Sequence, residues 1–214
     1  MEANQVKTKT LIISLAIIVS IELTMRLILP RQPLDSMVLL GVARFFQVSL
    51  IILYLVTWGQ GVSSIGLTTS KIAVGIKKGL IWSAGFGVVV LLAFSTLYMA
   101  GINTLTLIHA RLPRAPGMIA LYLLVGGIVG PAAEEVFFRG LLYGFLRRWG
   151  VVAALTGSTA LFVLAHPVSH SVFVPQLVGG ILFAVAYEVE RSLLVPITIH
   201  ILGNLAIFTL SLIT

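Results

Sequence analysis

Seven apolar runs, each long enough or nearly long enough to cross a lipid bilayer, leave this chain little choice of solvent. They lie at 11–29, 37–58, 80–102, 118–146, 151–166, 175–190 and 192–213. A spanning helix needs about 20 mostly apolar residues, and in lipid only helices and closed barrels satisfy their own backbone. Runs of this length read as helices. The expected fold is all-α: a polytopic membrane bundle of about seven transmembrane helices. The fifth and sixth runs are short. The fourth is long and interrupted by Gly126, Gly127, Gly130 and Pro131. Of the 214 residues, 58% are apolar and 10% charged, where soluble domains carry about 25% charged residues. With a mean hydropathy of +1.10, a soluble enzyme and a disordered chain are both excluded. Cysteine is absent, which removes a disulfide scaffold, a thiolate zinc site, a cysteine nucleophile and a lipidated cysteine.

The first run follows Lys7 and Lys9 but is too long for a signal-peptide core and lacks an A-x-A cleavage site, so it reads as a helix. Residues 59–78 form the one sizeable linker, weakly amphipathic and expected to lie along the interface. The formal net charge of +7 fits the Lys/Arg excess of cytoplasmic loops rather than nucleic-acid binding. One side of the bundle collects Lys7, Lys9, Lys71, Lys77, Lys78, Arg147, Arg148 and Arg191, and the other Arg31, Arg111 and Arg114. That asymmetry predicts a cytoplasmic N-terminus, in the cytoplasmic membrane of a prokaryote.

Ionisable groups at membrane depth are costly and mark function by default. Glu22 is expected to pair with Arg26 at i+4, and Arg26 and Arg44 to snorkel outward. Glu188, Glu190 and Arg191 read as a solvated loop, and His109 as a plain loop residue. A second set is different. At 1.5 Å of rise per residue, Glu134 lies roughly 19 Å, His166 roughly 22 Å, His200 roughly 12 Å and Asn204 roughly 18 Å from the basic side. Three separate helices thus bring polar groups to a similar level. Glu135 and Arg139, at i and i+4, share a face and can pair. Glu134 points about 100° away on the same helix and is left to face a cavity. Phe162 with His166, and His200 with Asn204, each line one face. Pro131, Pro167 and Pro196 stand beside these polar groups, and broken backbone at membrane depth is tolerated only next to protein or water.

Elimination narrows the chemistry. No H-E-x-x-H zinc motif is present, nor a G-x-S-x-G serine elbow. Asp35 is the only aspartate and sits in a loop, so a two-aspartate protease is impossible within this chain. Glu, two His and Asn remain. They can activate water and stabilise an oxyanion, or Glu134, His166 and His200 can hold zinc. Spacing alone does not choose.

The run Glu134-Glu135-Val-Phe-Phe-Arg139 resembles the E-E-x-x-x-R motif of the CPBP family of CAAX proteases and bacteriocin-processing proteins. Phe162-Val-Leu-Ala-His166 is similar to its F-x-x-x-H motif, and His200-Ile-Leu-Gly-Asn204 to its H-x-x-x-N motif. All three occur in family order within residues 118–210, which form the expected core of a single membrane domain spanning 1–214. Residues 1–117 carry no family motif. The resemblance implies an intramembrane endopeptidase whose helices surround a conical cavity. It makes Glu134 the base that activates water and His166 its assistant. His200 and Asn204 become the oxyanion side, Glu135 and Arg139 a supporting pair, and Phe162 a cavity wall. A glutamate mechanism without cofactor is favoured over zinc, because pairing Glu135 with Arg139 leaves few free ligands. His170 is an extra histidine, a loop residue or an accessory ligand. The implied partner is a membrane-anchored protein or peptide entering laterally from the bilayer. Rival readings are a non-catalytic immunity or binding protein on the same fold, and a small proton- or cation-coupled transporter. The sequence sets no oligomeric state.

Overall fold

The computed structural model describes residues 6–28, 36–104, 108, 110, 112–166 and 170–213. Arg31, Asp35, His109, Arg111 and Pro167 lie outside them, as does the side chain of His170. Among the described residues there is no strand. The helices are α1 (Thr8–Ile28), α2 (Ser36–Thr57), α3 (Ile72–Met99), α4 (Pro116–Trp149, continuous through two π-helical stretches and a short 3₁₀ end), α5 (Val151–Leu164), α6 (His170–Glu190) and α7 (Leu194–Ile213). Six helical stretches are long and apolar enough to span a bilayer, and α5 is shorter, at 14 residues. Large apolar side chains such as Leu27, Val89, Leu92 and Leu164 are well exposed. On a soluble protein that outer surface would be an aggregation liability; on a helical membrane protein it is the lipid-facing surface.

The bundle is organised around α4. Between Val136 and Tyr143 nearly every side chain is buried, and a helix buried on all sides belongs at a bundle's centre. Val136, Leu141 and Tyr143 pack with Ile51 and Leu55 of α2, Ala154 of α5, and Ala184 and Tyr187 of α6. Phe138 and Leu142 pack with Phe162, Phe183, Val195 and Ile199. Gly140 admits the α2–α3 connection: a Cβ there would lie 3.1 Å from Ile65 Cβ, and Ile65 is fully buried.

The expected interfacial linker at 59–78 is shorter than its sequence suggested. After 3₁₀ turns at Val62–Ile65 and Thr69–Lys71, α3 already begins at Ile72. The reason is packing. Gly75 and Gly79 are buried on α3, and a Cβ on Gly79 would come within 2.5 Å of Thr198 Cβ. Small residues let membrane helices approach closely where no hydrophobic driving force exists. Lys78 and the Trp82 indole both bond Glu190, the latter at 3.0 Å. Glu188 is bound by both Arg147 Nε (3.1 Å) and Arg147 Nη2 (3.0 Å) and by the Tyr143 hydroxyl (2.8 Å). Glu188 and Glu190 are therefore clamps of α6 against α4 and α3, not solvated loop groups. Glu22 also departs from expectation. Its Oε1 accepts from Arg44 Nη1 at 2.7 Å and Gln47 Nε2 at 2.9 Å, two donors from α2, while Arg26 stays exposed.

Candidate active site

The site begins with a defect in α4. In the π-turn Val125–Val129 the Gly130 amide bonds the Val125 carbonyl, five residues back. The same pattern would pair residue 131 with the Gly126 carbonyl, but Pro131 has no N–H to give. Asn204 Nδ2 of α7 donates to that carbonyl instead, at 3.0 Å. The amide thus satisfies a backbone group that proline left free at membrane depth, and it fixes α7 against α4 about two turns before Glu134. One of its two amide hydrogens is used in doing so.

Below this point Glu135 and Arg139 are both fully buried, and Arg139 Nη1 lies 3.1 Å from Glu135 Oε1. Arg139 Nη2 donates to the Gly180 carbonyl of α6 at 3.1 Å. Its guanidinium lies 4.5 Å from the Phe162 ring centroid and 5.2 Å from that of Phe183. The cation is thus held by a carboxylate, a carbonyl and two aromatic faces. Glu135 Oε1 also takes His200 Nδ1 at 2.8 Å, and Phe183 stacks on the His200 ring with centroids 4.5 Å apart. Phe162 touches both imidazoles, at 4.7 Å from His166 and 5.8 Å from His200.

The partners determine the proton positions. His166 Nδ1 lies 2.8 Å from the Phe162 carbonyl, which only accepts, so Nδ1 carries the hydrogen and the neutral ring presents a bare Nε2. Paired with Arg139, Glu135 likewise accepts from His200 Nδ1, which turns Nε2 of that ring toward Glu134. Both Nε2 atoms face Glu134 Oε2, at 3.7 Å from His166 and 3.9 Å from His200. These separations are too long for direct hydrogen bonds and suit a bridging water. The Glu134 and His166 side chains are 26% and 23% exposed, against 0% for Glu135 and Arg139. The reactive-looking groups therefore face open space and the ion pair lies behind them. Two imidazoles and a carboxylate are also the donor types of a His₂Glu zinc site, though among the described residues no three such groups stand at the spacing of a preformed site.

Glu134, His166 and His200 thus converge, with Glu135, Arg139 and Phe162 packed around them and Asn204 bound to α4. Sequence reasoning missed Phe183 and Gly180. The Gly179-Gly180 pair within a span was the available signal for a close helix approach, whereas nothing local marks Phe183.

This architecture is that of a helical membrane protein with a glutamate–histidine centre buried between its helices. The family model of type II CAAX prenyl endopeptidases (Rce1-like) matches residues 116–206, the stretch that carries the three motifs. Membrane-embedded CAAX protease MroQ of Staphylococcus aureus (strain USA300) is 35% identical over 94 residues, covering 40% of this chain. The match spans 37% of that relative's length. No solved structure matches the chain.

Proposed function

We propose that this protein is an intramembrane endopeptidase that hydrolyses a peptide bond in a membrane-anchored protein or peptide, and that Glu134 activates the water. The observation that carries the reading is the convergence of the His166 and His200 Nε2 atoms on Glu134 Oε2, at 3.7 and 3.9 Å. Glu134, assisted by His166, takes a proton from water as the oxygen attacks the scissile carbonyl. The same proton then goes to the amide nitrogen as the C–N bond breaks, so that one water is consumed and two termini are released. His200 stabilises the oxyanion in its protonated form, with the Nε2 hydrogen turned to that oxygen and the Glu135 carboxylate on Nδ1 supporting the imidazolium. The second amide hydrogen of Asn204 is available for the same oxygen. Were zinc bound, it would be held by Glu134, His166 and His200 and would supply a more acidic water.

Helix α5 packs on α6 and on residues 136–149 of α4, with no comparable contact to residues 116–135. Helix α5 ends at Leu164, near the level of Glu134, and in this reading the substrate enters laterally beside that end. The positive side faces the cytoplasm of a prokaryote in this reading. The test is reconstitution of the full chain into liposomes with membrane-spanning peptides and mass analysis of the products. His166→Ala should abolish cleavage and leave thermal unfolding unchanged. Cleavage by His166→Ala at the wild-type rate would overturn the assignment.

A further inference from the structure

Outside the motifs, buried side-chain oxygens of Ser14, Ser158, Thr159 and Gln176 lack a partner, and Gln176 is the one amide among them. Gln176 Oε1 on α6 is sealed from solvent without a hydrogen bond. Its position follows from helix packing. A Cβ on Gly180 would meet Thr159 Cγ2 at 3.0 Å and Phe162 Cδ1 at 3.4 Å, so this face of α6 lies directly on α5. The two helices run antiparallel. One turn back along α6 from Gly180 is Gln176, and one turn forward along α5 from Phe162 is His166, each on the same face as its reference residue. Gln176 therefore stands opposite His166 across the α5–α6 seam. Gly180 itself accepts from Arg139, so the polar row on α6 leads from the ion pair to the catalytic level.

An unpartnered buried acceptor demands an explanation, and the reaction offers one. A helix satisfies its own amides in lipid, but a peptide must open into an extended form before its carbonyl can be attacked. Opening exposes backbone N–H groups where water is scarce, and each costs several kcal/mol if unmet. Proteins that hold extended peptides do so through main-chain hydrogen bonds. We infer that Gln176 is a substrate-positioning residue, whose amide oxygen, once the half-buried side chain turns out of the α5–α6 seam, accepts from a backbone N–H of the unwound substrate next to the scissile bond.

This inference rests on the endopeptidase reading above. Its test is a double cycle with the reconstituted full chain. Wild type and Gln176→Leu each receive a membrane-spanning peptide that wild type cleaves, and versions in which single amides near the cut are replaced by esters, removing one N–H at a time. Gln176→Leu should lower kcat/KM on the parent peptide about tenfold, the worth of one hydrogen bond. It should leave the melting temperature unchanged or raised, because an unmet polar atom has been removed. At one ester position wild type should lose activity to a similar extent while Gln176→Leu loses no more. Gln176→Glu, which keeps an acceptor, should recover part of the rate. Independent effects at every ester position, or a loss of melting temperature in Gln176→Leu that accounts for the lost rate, would overturn the inference while leaving the protease reading intact. Failure of wild type to cleave any peptide would overturn both.

Discussion

Replacing Arg139 with methionine should unfold this protein at a distinctly lower temperature, and the size of the effect follows from burial. Arg139 and Glu135 expose none of their side chains. Methionine keeps the volume and an attractive contact to Phe162 and Phe183, so the loss is chiefly electrostatic. It leaves a carboxylate in the protein interior with His200 as its remaining partner. Removing one member of a buried ion pair costs about 3–5 kcal/mol. In a chain of this size each kcal/mol moves the melting temperature about 2–4 °C, so Arg139→Met should melt roughly 6–20 °C below wild type. The double variant Glu135→Leu/Arg139→Met replaces the pair with apolar side chains and should regain most of that loss. It should remain inactive, because His200 Nδ1 no longer has a carboxylate to set its ring. Thermal unfolding in detergent, followed by intrinsic fluorescence, gives both values. Melting of Arg139→Met within about 2 °C of wild type would refute the reasoning, as would a double variant no more stable than the single one.

Asn204→Leu should cost about 1–3 kcal/mol by stranding the Gly126 carbonyl, and Pro131→Ala, which restores a backbone N–H there, should reduce that cost when the two are combined; unfolding of the four proteins measures it. Gly79→Val would drive its side chain into Thr198 and should loosen α3 by about 1–3 kcal/mol, seen as protease sensitivity of the α2–α3 connection. A chelator should leave cleavage in liposomes unchanged under the glutamate mechanism, whereas loss of activity restored by zinc would assign Glu134, His166 and His200 to a metal.

Residue spacing made the helix that carries Glu134 legible in advance. Glu135 and Arg139 lie one turn apart, and the local i to i+4 rule gave their contact. The level shared by Glu134, His166 and His200 was legible because helical rise is fixed. What failed was local reasoning applied where a neighbouring helix competes. Glu22 had Arg26 one turn away, yet Arg44 and Gln47 on α2 jointly offer two donors to one oxygen. Glu188 and Glu190 read as loop charges because their partners, Arg147 and Lys78, are distant in sequence. The start of α3 was hidden because Gly75 and Gly79 weaken a helix on propensity and strengthen this one by admitting Thr198. Phe183, stacked on His200, has no sequence mark, since an aromatic residue in an apolar span is ordinary.

The most direct measurement of the central claim is the rate ratio between wild type and Glu134→Gln on one membrane-spanning peptide in liposomes, with both proteins shown to melt alike. If Glu134 activates the water, the amide should slow cleavage by about 10²–10⁴-fold. Cleavage by Glu134→Gln within about threefold of wild type, far below the range for general base catalysis, would contradict the account.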